Sequence, residues 1–491
     1  MKLLKSISLI AIVASTLFAQ SGTRLVGFDA KSLGRGGTSI GVFDSPELMM
    51  SNPAGLSFVN QSMLNVDVSA MFPALHFQNK LNNVDGDNNV FPLPSASYVR
   101  SCDCSDFTWG VGFFTAGGMG ADYKLNHALY GTTKQEYHSK LASMQGGLSA
   151  AYKFSEHFSV GASLHMVYSM LEFSMPFSLN PLAMQGVAMP GMTFGQMFAA
   201  PNSMGGFGYD EVTAAAKMTD LTAIGFNGKI GLAYKVDNKL SFGLSYTLPT
   251  SLTYTGGKAT MDMTAQLNDA FGKAVMGWMM QNPGKTQQQA QDAIMTQFAQ
   301  LGIDMSKGVV ANYDLDVDLT FPSSIGFGVS YRATDCLLLA ADVEYLMWEN
   351  AFDKMTLKLK NGNNSNINKM MGNAGTFNIE FPMNWENSLM LKIGGEYLAT
   401  KELTLRLGYA YNSNPVPEAT IFPIFPAIVE NHIMAGLSYK VSTPLTINAA
   451  FEMALNNSLK ASNPSLIANE YDGSTSELST TLIHISCSYA F

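Results

Sequence analysis

The 491-residue sequence is poor in charge: Asp, Glu, Lys and Arg make up 14 % of it, with 29 basic residues against 38 acidic. With no basic patch and a net negative balance, a nucleic-acid partner is not expected. No internal run reaches the 18 or more apolar residues that a membrane-spanning helix requires. The seven histidines (76, 127, 138, 157, 165, 432 and 484) are scattered, with no His-Glu-x-x-His and no Cys/His ligand spacing, so no metal is expected. A phosphate-binding Gly-x-x-x-x-Gly-Lys-Ser/Thr is missing as well. Gly256-Gly257-Lys258 lacks its spacing, so no energy source and no cofactor are implied. Ser163 and His165 fall two apart on one strand face, but a hydrolase would also need an orienting acid or amide. Alternating small polar residues suit any barrel lumen, and no enzyme is expected. Four cysteines remain. Cys102 and Cys104 flank one residue of a short turn and form a strained bridge, bind a metal, or do neither, the last being favoured by the tightness of the turn. Cys336 begins a strand and Cys487 sits on the last one.

What the chain does have is alternation. Its mean hydropathy is near neutral at +0.08, as in a barrel that hides its apolar residues at every second position. Seven stretches end in an aromatic anchor, at Tyr98, Tyr152, Tyr234, Tyr331, Tyr397, Tyr439 and Tyr489. Six of them run into a short polar turn, such as Ser155-Glu156-His157 or Asp237-Asn238-Lys239, and then into a new alternating run. A tyrosine there suits a membrane interface, where the ring stays apolar and the hydroxyl stays wet. If each such strand descends it needs an ascending partner, and seven pairs make fourteen strands. The fold expected is all-β: a fourteen-stranded antiparallel transmembrane β-barrel of a bacterial outer membrane. The terminal aromatic, Phe491, closes an alternating strand (Ile483, Ile485, Cys487, Tyr489) and is the tag that barrel-assembly machinery reads.

The expected strands are 62–78, 92–101, 106–124, 140–154, 157–173, 221–236, 239–260, 312–332, 336–358, 386–398, 402–412, 431–441, 445–459 and 479–491. Ahead of them stands a secretory leader at 1–19, with basic Lys2 and Lys5, an apolar stretch from Ile7 to Phe18, and a cut after Ala19 or Gln20. No Cys follows the cut, so no lipoprotein anchor is expected. Cleavage leaves 27 basic against 38 acidic residues, a net charge of about −11. Residues 20–61 do not alternate. Gly-rich and Pro-interrupted, with one helical turn near Pro46–Met50, they suit an N-terminal plug (hatch) inside the lumen. Two long apolar loops fall on the extracellular side. One, 174–220, is rich in Met, Gly and Pro. The other, 261–311, holds two helical patterns, with Leu267, Phe271, Ala274, Val275, Trp278 and Met279 on one stripe, and Ala290, Ile294, Phe298 and Leu301 on the next. Such stripes either pack on the barrel rim or form a landing surface where Met side chains adapt to apolar ligands.

Together these pieces resemble the long-chain fatty acid transporter family, the FadL-type outer-membrane channels. The resemblance covers essentially the whole mature chain. It rests on Gly34-Arg35-Gly36-Gly37 followed by Asn52-Pro53-Ala54, matching the hatch motif, and on Asn414-Pro415-Val416-Pro417 after Arg406 and Gly408. Trp348 late in a strand and the closing Tyr489-Ala490-Phe491 also fit. The resemblance implies that a hydrophobic molecule enters through a groove between two helical loops, passes to a deeper pocket, and leaves sideways through an inward kink in the third strand. Within that strand, Gly117, Gly118 and Gly120 are the candidate kink, since glycines mark bulges and bends.

A fatty-acid headgroup calls for an inward cation, and alternation turns Arg406, Lys392 and Lys229 inward. Arg406 and Lys392 are the headgroup candidates. Asp342, Glu344 and Glu396 also face inward, so salt bridges or lumenal water are the default for all these charges. Asn52, with Pro53 and Ala54, is expected to hold the hatch through backbone outside any ladder. Phe271, Trp278, Met279, Phe194 and Phe198 are the first-contact candidates. The function expected is passive uptake of hydrophobic compounds, foremost long-chain fatty acids. Import of aromatic or other hydrocarbons is the alternative, and a receptor or adhesin the alternative of another class. The expected partners are a hydrophobic small molecule, outer-membrane lipid and the assembly machinery, with the chain a monomer.

Overall fold

A computed structural model describes residues 22–87, 89–101, 105–463, 468 and 470–491. The expected leader and the Cys102/Cys104 pair lie outside these residues. Fourteen antiparallel strands form the wall. Six come first: β1 Met63–Gln78, β2 Phe91–Arg100, β3 Phe107–Leu125, β4 Gln135–Lys153, β5 Phe158–Leu179 and β6 Val212–Lys235. The next four are each in two pieces. These are β7 (Leu240–Thr247, Thr250–Asp262), β8 (Val310–Phe321, Ser324–Thr334), β9 (Leu337–Leu346, Lys354–Lys360) and β10 (Phe377–Pro382, Ser388–Leu398). The last are β11 Leu403–Asn412, β12 Asn431–Lys440, β13 Leu445–Lys460 and β14 Thr475–Ala490. β14 returns to β1, from Met63 opposite Ala490 to Gln78 opposite Thr475. Closure satisfies the edge donors and acceptors that a lipid environment would leave stranded.

Side chains follow the pleat. On β14, Ile483, Ile485 and Tyr489 are exposed on the outer face while His484, Ser486 and Ser488 are buried on the inner one. The anchors Tyr152, Tyr234, Tyr331, Tyr397 and Tyr439 all stand exposed beside the short turns, where a tyrosine bridges apolar and wet layers.

Two departures from expectation have a common cause. β5 and β6 run on to Leu179 and back to Val212, so the first long loop is shorter than 174–220. There Phe173, Met175 and Phe177 are buried, and without a lipid-facing apolar set the pattern no longer reads as a barrel strand. Trp348 is not in a strand. It opens a 3-10 turn, Trp348–Asn350, and is fully buried against Phe352 and Trp385, with ring centroids 5.2 and 5.0 Å away.

The N-terminal segment lies against the inner wall. Asp29 caps α1 (Ala30–Gly34) by accepting from Ser32 N. α2 (Leu48–Ser51) and a 3-10 turn, Pro53–Phe58, follow. The segment approaches the wall through glycines. Gly36 has φ +72°, and a Cβ there would stand 2.5 Å from the Ile393 carbonyl oxygen, so only glycine suits it. Above the wall, α3 (Phe194–Ala199) belongs to the first loop, α4 (Thr264–Gln281) and α5 (Gln287–Gln300) to the second, and α6 (Ser365–Met371) lies between the pieces of β9 and β10.

Candidate functional site: a cavity beside a break in the wall

The break begins with two prolines. Pro92 and Pro94 have no N–H to give, so the ladder from β2 to β1 runs through the residues between them, and the prolines turn their missing donors towards β3. Accordingly β2 and β3 pair only from Ala96/Phe113 to Arg100/Trp109. Above that point β3 turns inward. Its register with β4 shifts between Thr115 and Gly117, Gly117 takes φ +153°, and every residue from Phe114 to Ala121 is buried. The inward backbone finds partners in the hatch: Gly118 N donates to Thr23 O at 3.0 Å, and Arg24 bridges to Gly117. Across the gap, Thr115 Oγ1 donates to Pro94 O at 3.0 Å. Higher still, Asp87 N reaches Asp122 O at 2.9 Å. The result is a window bounded above and below.

Behind the window lies a cavity of about 70 Å³. Thr23, Arg24, Ala116 and Gly117 form its side towards the break, Phe28, Met50, Phe321 and Trp348 give it an apolar lining, and Lys229 brings a cation. Arg24 is committed elsewhere, to Glu344 at 2.9 Å and Ser324 Oγ at 2.9 Å. Lys229 is buried and makes no hydrogen bond or ion pair among the described residues.

The other inward cations are held. Arg406 Nε meets Glu396 Oε2 at 2.7 Å, and its Nη1 donates to Ser438 at 2.5 Å. Glu396 also takes Arg35 of the hatch at 2.9 Å, and Arg35 holds Asp44 at 2.8 Å. Lys392 is paired with Glu344 at 2.7 Å, and Asp342 accepts from Ser39 N and Ile40 N at 2.7 and 3.0 Å. Arg406 and Lys392 are thus tied into the junction of hatch and wall, and neither lines the cavity. Asn52 accepts from Ala54 N at 3.2 Å and donates to Ile40 O and to Leu232 O of β6, at 2.9 and 3.0 Å. Ser159 Oγ donates to Ala54 O at 2.6 Å, and Pro53 starts the turn. Ser163 bonds to Ser149 Oγ at 2.6 Å and Met49 O at 3.0 Å rather than to His165. Gly118 and Gly120 stand opposite Ala142 and Lys140 of β4.

The five apolar loop residues divide. Phe194 and Phe198 are fully buried inside the first loop, with Phe198 edge-on to Phe207 and tilted against Tyr209, ring centroids 5.2 and 5.7 Å away. Phe271 packs on Phe298 of α5 at 5.9 Å, Trp278 is half-buried, and Met279 is exposed beside Met276 and Met280. The first loop is pinned to α4 by Tyr209, which donates to Asp269 at 2.5 Å and lies 3.7 Å beneath Lys273 Nζ. Burial, then the Asp269 carboxylate, pushes the Tyr209 phenol well above its usual range.

Alternation did identify Lys229 as inward, but nothing local distinguished it from cations with partners. The part played by Pro92 and Pro94 was missed, although Pro-x-Pro inside an alternating run is a sequence signal for an unpaired edge.

A closed antiparallel barrel of fourteen strands, with its N-terminal segment packed against the inner wall and a break in the β2–β3 ladder, defines an outer-membrane β-barrel protein. A family model described as outer membrane protein transport protein (OMPP1/FadL/TodX) matches residues 10–491, and the chain belongs to that family. The family is one of outer-membrane transporters of hydrophobic compounds, not of enzymes. A comparison with curated protein sequences found no match. Among solved structures, the toluene transporter TodX of P. putida superimposes with TM-score 0.68 at 19 % identity, covering 95 % of this chain and 99 % of that one. A Pseudomonas aeruginosa FadL homologue gives 0.69 at 18 %, covering 96 % and 100 %. The toluene transporter TbuX of Ralstonia pickettii gives 0.64 at 19 %, covering 95 % and 99 %.

Proposed function

We propose that this chain takes up long-chain fatty acids by passive diffusion, from the exposed methionines of α4 through the cavity at Lys229 and out sideways between β2 and β3. One observation carries the reading: the buried Lys229 amine, without a hydrogen-bond or ion-pair partner among the described residues, in a cavity of mixed polar and apolar lining that adjoins a gap in the wall. An anionic head gives the buried Lys229 amine a direct partner, where Glu344 and Glu47 act on it only at a distance, and a toluene-like ligand does not. A lateral route also keeps the tail out of water, where each CH₂ costs about 0.8 kcal/mol. On this reading Phe271, Trp278 and Met279 contribute to the first contact, while Phe194 and Phe198 shape the loop from within. Gly117, Gly118 and Gly120 give β3 its kink, and Asn52, Pro53 and Ala54 fix the hatch. Arg406 and Lys392 act on the ligand only through the hatch they hold. A second reading, import of aromatic hydrocarbons, is favoured by the apolar lining and by the toluene transporters among the similar structures.

The test is uptake of labelled oleate and of toluene by cells lacking their own fatty acid importer. The expected result is oleate uptake that falls about tenfold in Lys229→Met, the loss of one charge-assisted bond. Toluene entry without oleate uptake moves the function to hydrocarbons. If neither ligand enters through a correctly folded barrel, the receptor or adhesin reading takes its place.

A further inference from the structure

The cavity holds more polar function than a carboxylate can use. Of its lining residues, Ser143, Gln145, Thr247 and Trp348 each carry a buried side-chain atom with no hydrogen-bond partner among the described residues, namely Oγ, Oε1, Oγ1 and Nε1. Ser143 and Trp348 are themselves almost entirely buried, at 3 and 0 % exposure. A site for hydrocarbon alone gains nothing from such groups, since each is left without its water.

They form two poles. Thr247 stands opposite Lys229 in the β6–β7 ladder, beside the cation. Ser143 and Gln145 are on β4, opposite Gly117 and Phe114 at the bulge, and the cation beside them, Arg24 against Gly117, is spent on Glu344 and Ser324. From Gln145 the register passes through Val167 of β5 to Gly225 of β6, four residues short of Lys229. Two interstrand steps and four residues along a strand place the two backbones roughly 15 Å apart, before the reach of the long side chains is subtracted. Phe28, Met50 and Phe321 line the same cavity. The second pole offers an acceptor, Gln145 Oε1, and a hydroxyl, Ser143 Oγ. A ligand hydroxyl meets both at once, donating to the amide oxygen and accepting from the serine.

We propose that the preferred ligand is a long-chain fatty acid bearing a hydroxyl near mid-chain, its carboxylate at Lys229 and its hydroxyl at Ser143 and Gln145. The proposal rests on the fatty acid reading of the same cavity. The spacing excludes a hydroxyl next to the carboxylate, and a second acid group at Ser143 and Gln145 would find only Arg24 nearby, already paired with Glu344.

The experiment measures binding of 10-hydroxystearate, 2-hydroxystearate and stearate to the purified full-length protein in detergent. The expected result is about fivefold tighter binding of 10-hydroxystearate than of either other acid, the effect of one or two added hydrogen bonds. In Gln145→Leu/Ser143→Ala that ratio falls to about one. Equal affinities in the unaltered protein, which depend on no variant folding, overturn the proposal. So does a preference that survives the double substitution. Lys229→Met separates the layers: equal affinities that still drop with Lys229→Met sink only the hydroxyl, whereas indifference of all three acids to Lys229→Met sinks the acid site beneath it.

Discussion

At Glu396 one carboxylate serves two guanidinium groups, Arg35 from the hatch and Arg406 from the wall. Replacing it leaves both cations inside the barrel with fewer counter-charges. Glu396→Ala is therefore expected to destabilise the protein by about 3–5 kcal/mol, read as a lower temperature for loss of heat-modifiable migration. Lys392→Met is milder, because Glu344 keeps Arg24 at 2.9 Å. These neighbours explain why the sequence could place Arg406, Lys392 and Lys229 on the inner face yet not tell them apart. Alternation gives the side of the sheet. The partner comes from another strand or from the hatch, hundreds of residues away in the case of Arg35 and Glu396.

Among elements, β3 is the one whose local chemistry and tertiary role meet. Its outer residues Phe107, Trp109, Val111 and Phe113 are exposed in the ordinary alternating manner, and the pattern ends where the strand leaves the ladder. Gly117→Val puts a Cβ 2.0 Å from the Thr23 carbonyl oxygen at a φ that side chains avoid. The expected outcome is a folded barrel with at least several-fold slower oleate uptake, since the bulge and hatch can no longer meet. Full activity in that variant would remove β3 from the route. In the second loop, α5 carries a capping box in which Thr286 Oγ1 accepts from Gln289 N at 3.2 Å and Gln289 answers at 3.1 Å. Thr286→Ala is expected to weaken the helix start by about 1 kcal/mol, seen as faster proteolysis of the loop in intact cells. Both helices of that loop were legible in sequence from their stripes, because each buries one face: Leu267, Ala270 and Val275 on α4, and Ala290, Ile294 and Phe298 on α5. Trp348 misled for the opposite reason. It was expected late in a strand, whereas it opens a 3-10 turn with its indole fully buried against Phe352 and Trp385.

For the molecule as a whole, the strand count followed from the tyrosine-and-turn rhythm because each short turn fixes its hairpin. The closing seam between β1 and β14 joins residues 63–78 to 475–490, a pairing that no local pattern announces. The filled lumen sets the protein apart from general diffusion pores. Leu33, Arg35, Met49, Asn52 and Leu56 of the N-terminal segment are all buried to within a few per cent, and the cavity behind β3 is lined by residues of the hatch, of β3 and of the neighbouring strands. The expectation is that a membrane carrying many copies stays electrically tight. In a planar bilayer the protein should show no steady ionic current of the size an open porin gives, and cells rich in it should gain no sensitivity to hydrophilic antibiotics. Deleting residues 22–61 should open that leak, if the wall closes without them. On that expectation, greasy cargo is admitted without lowering the barrier that keeps small polar toxins out.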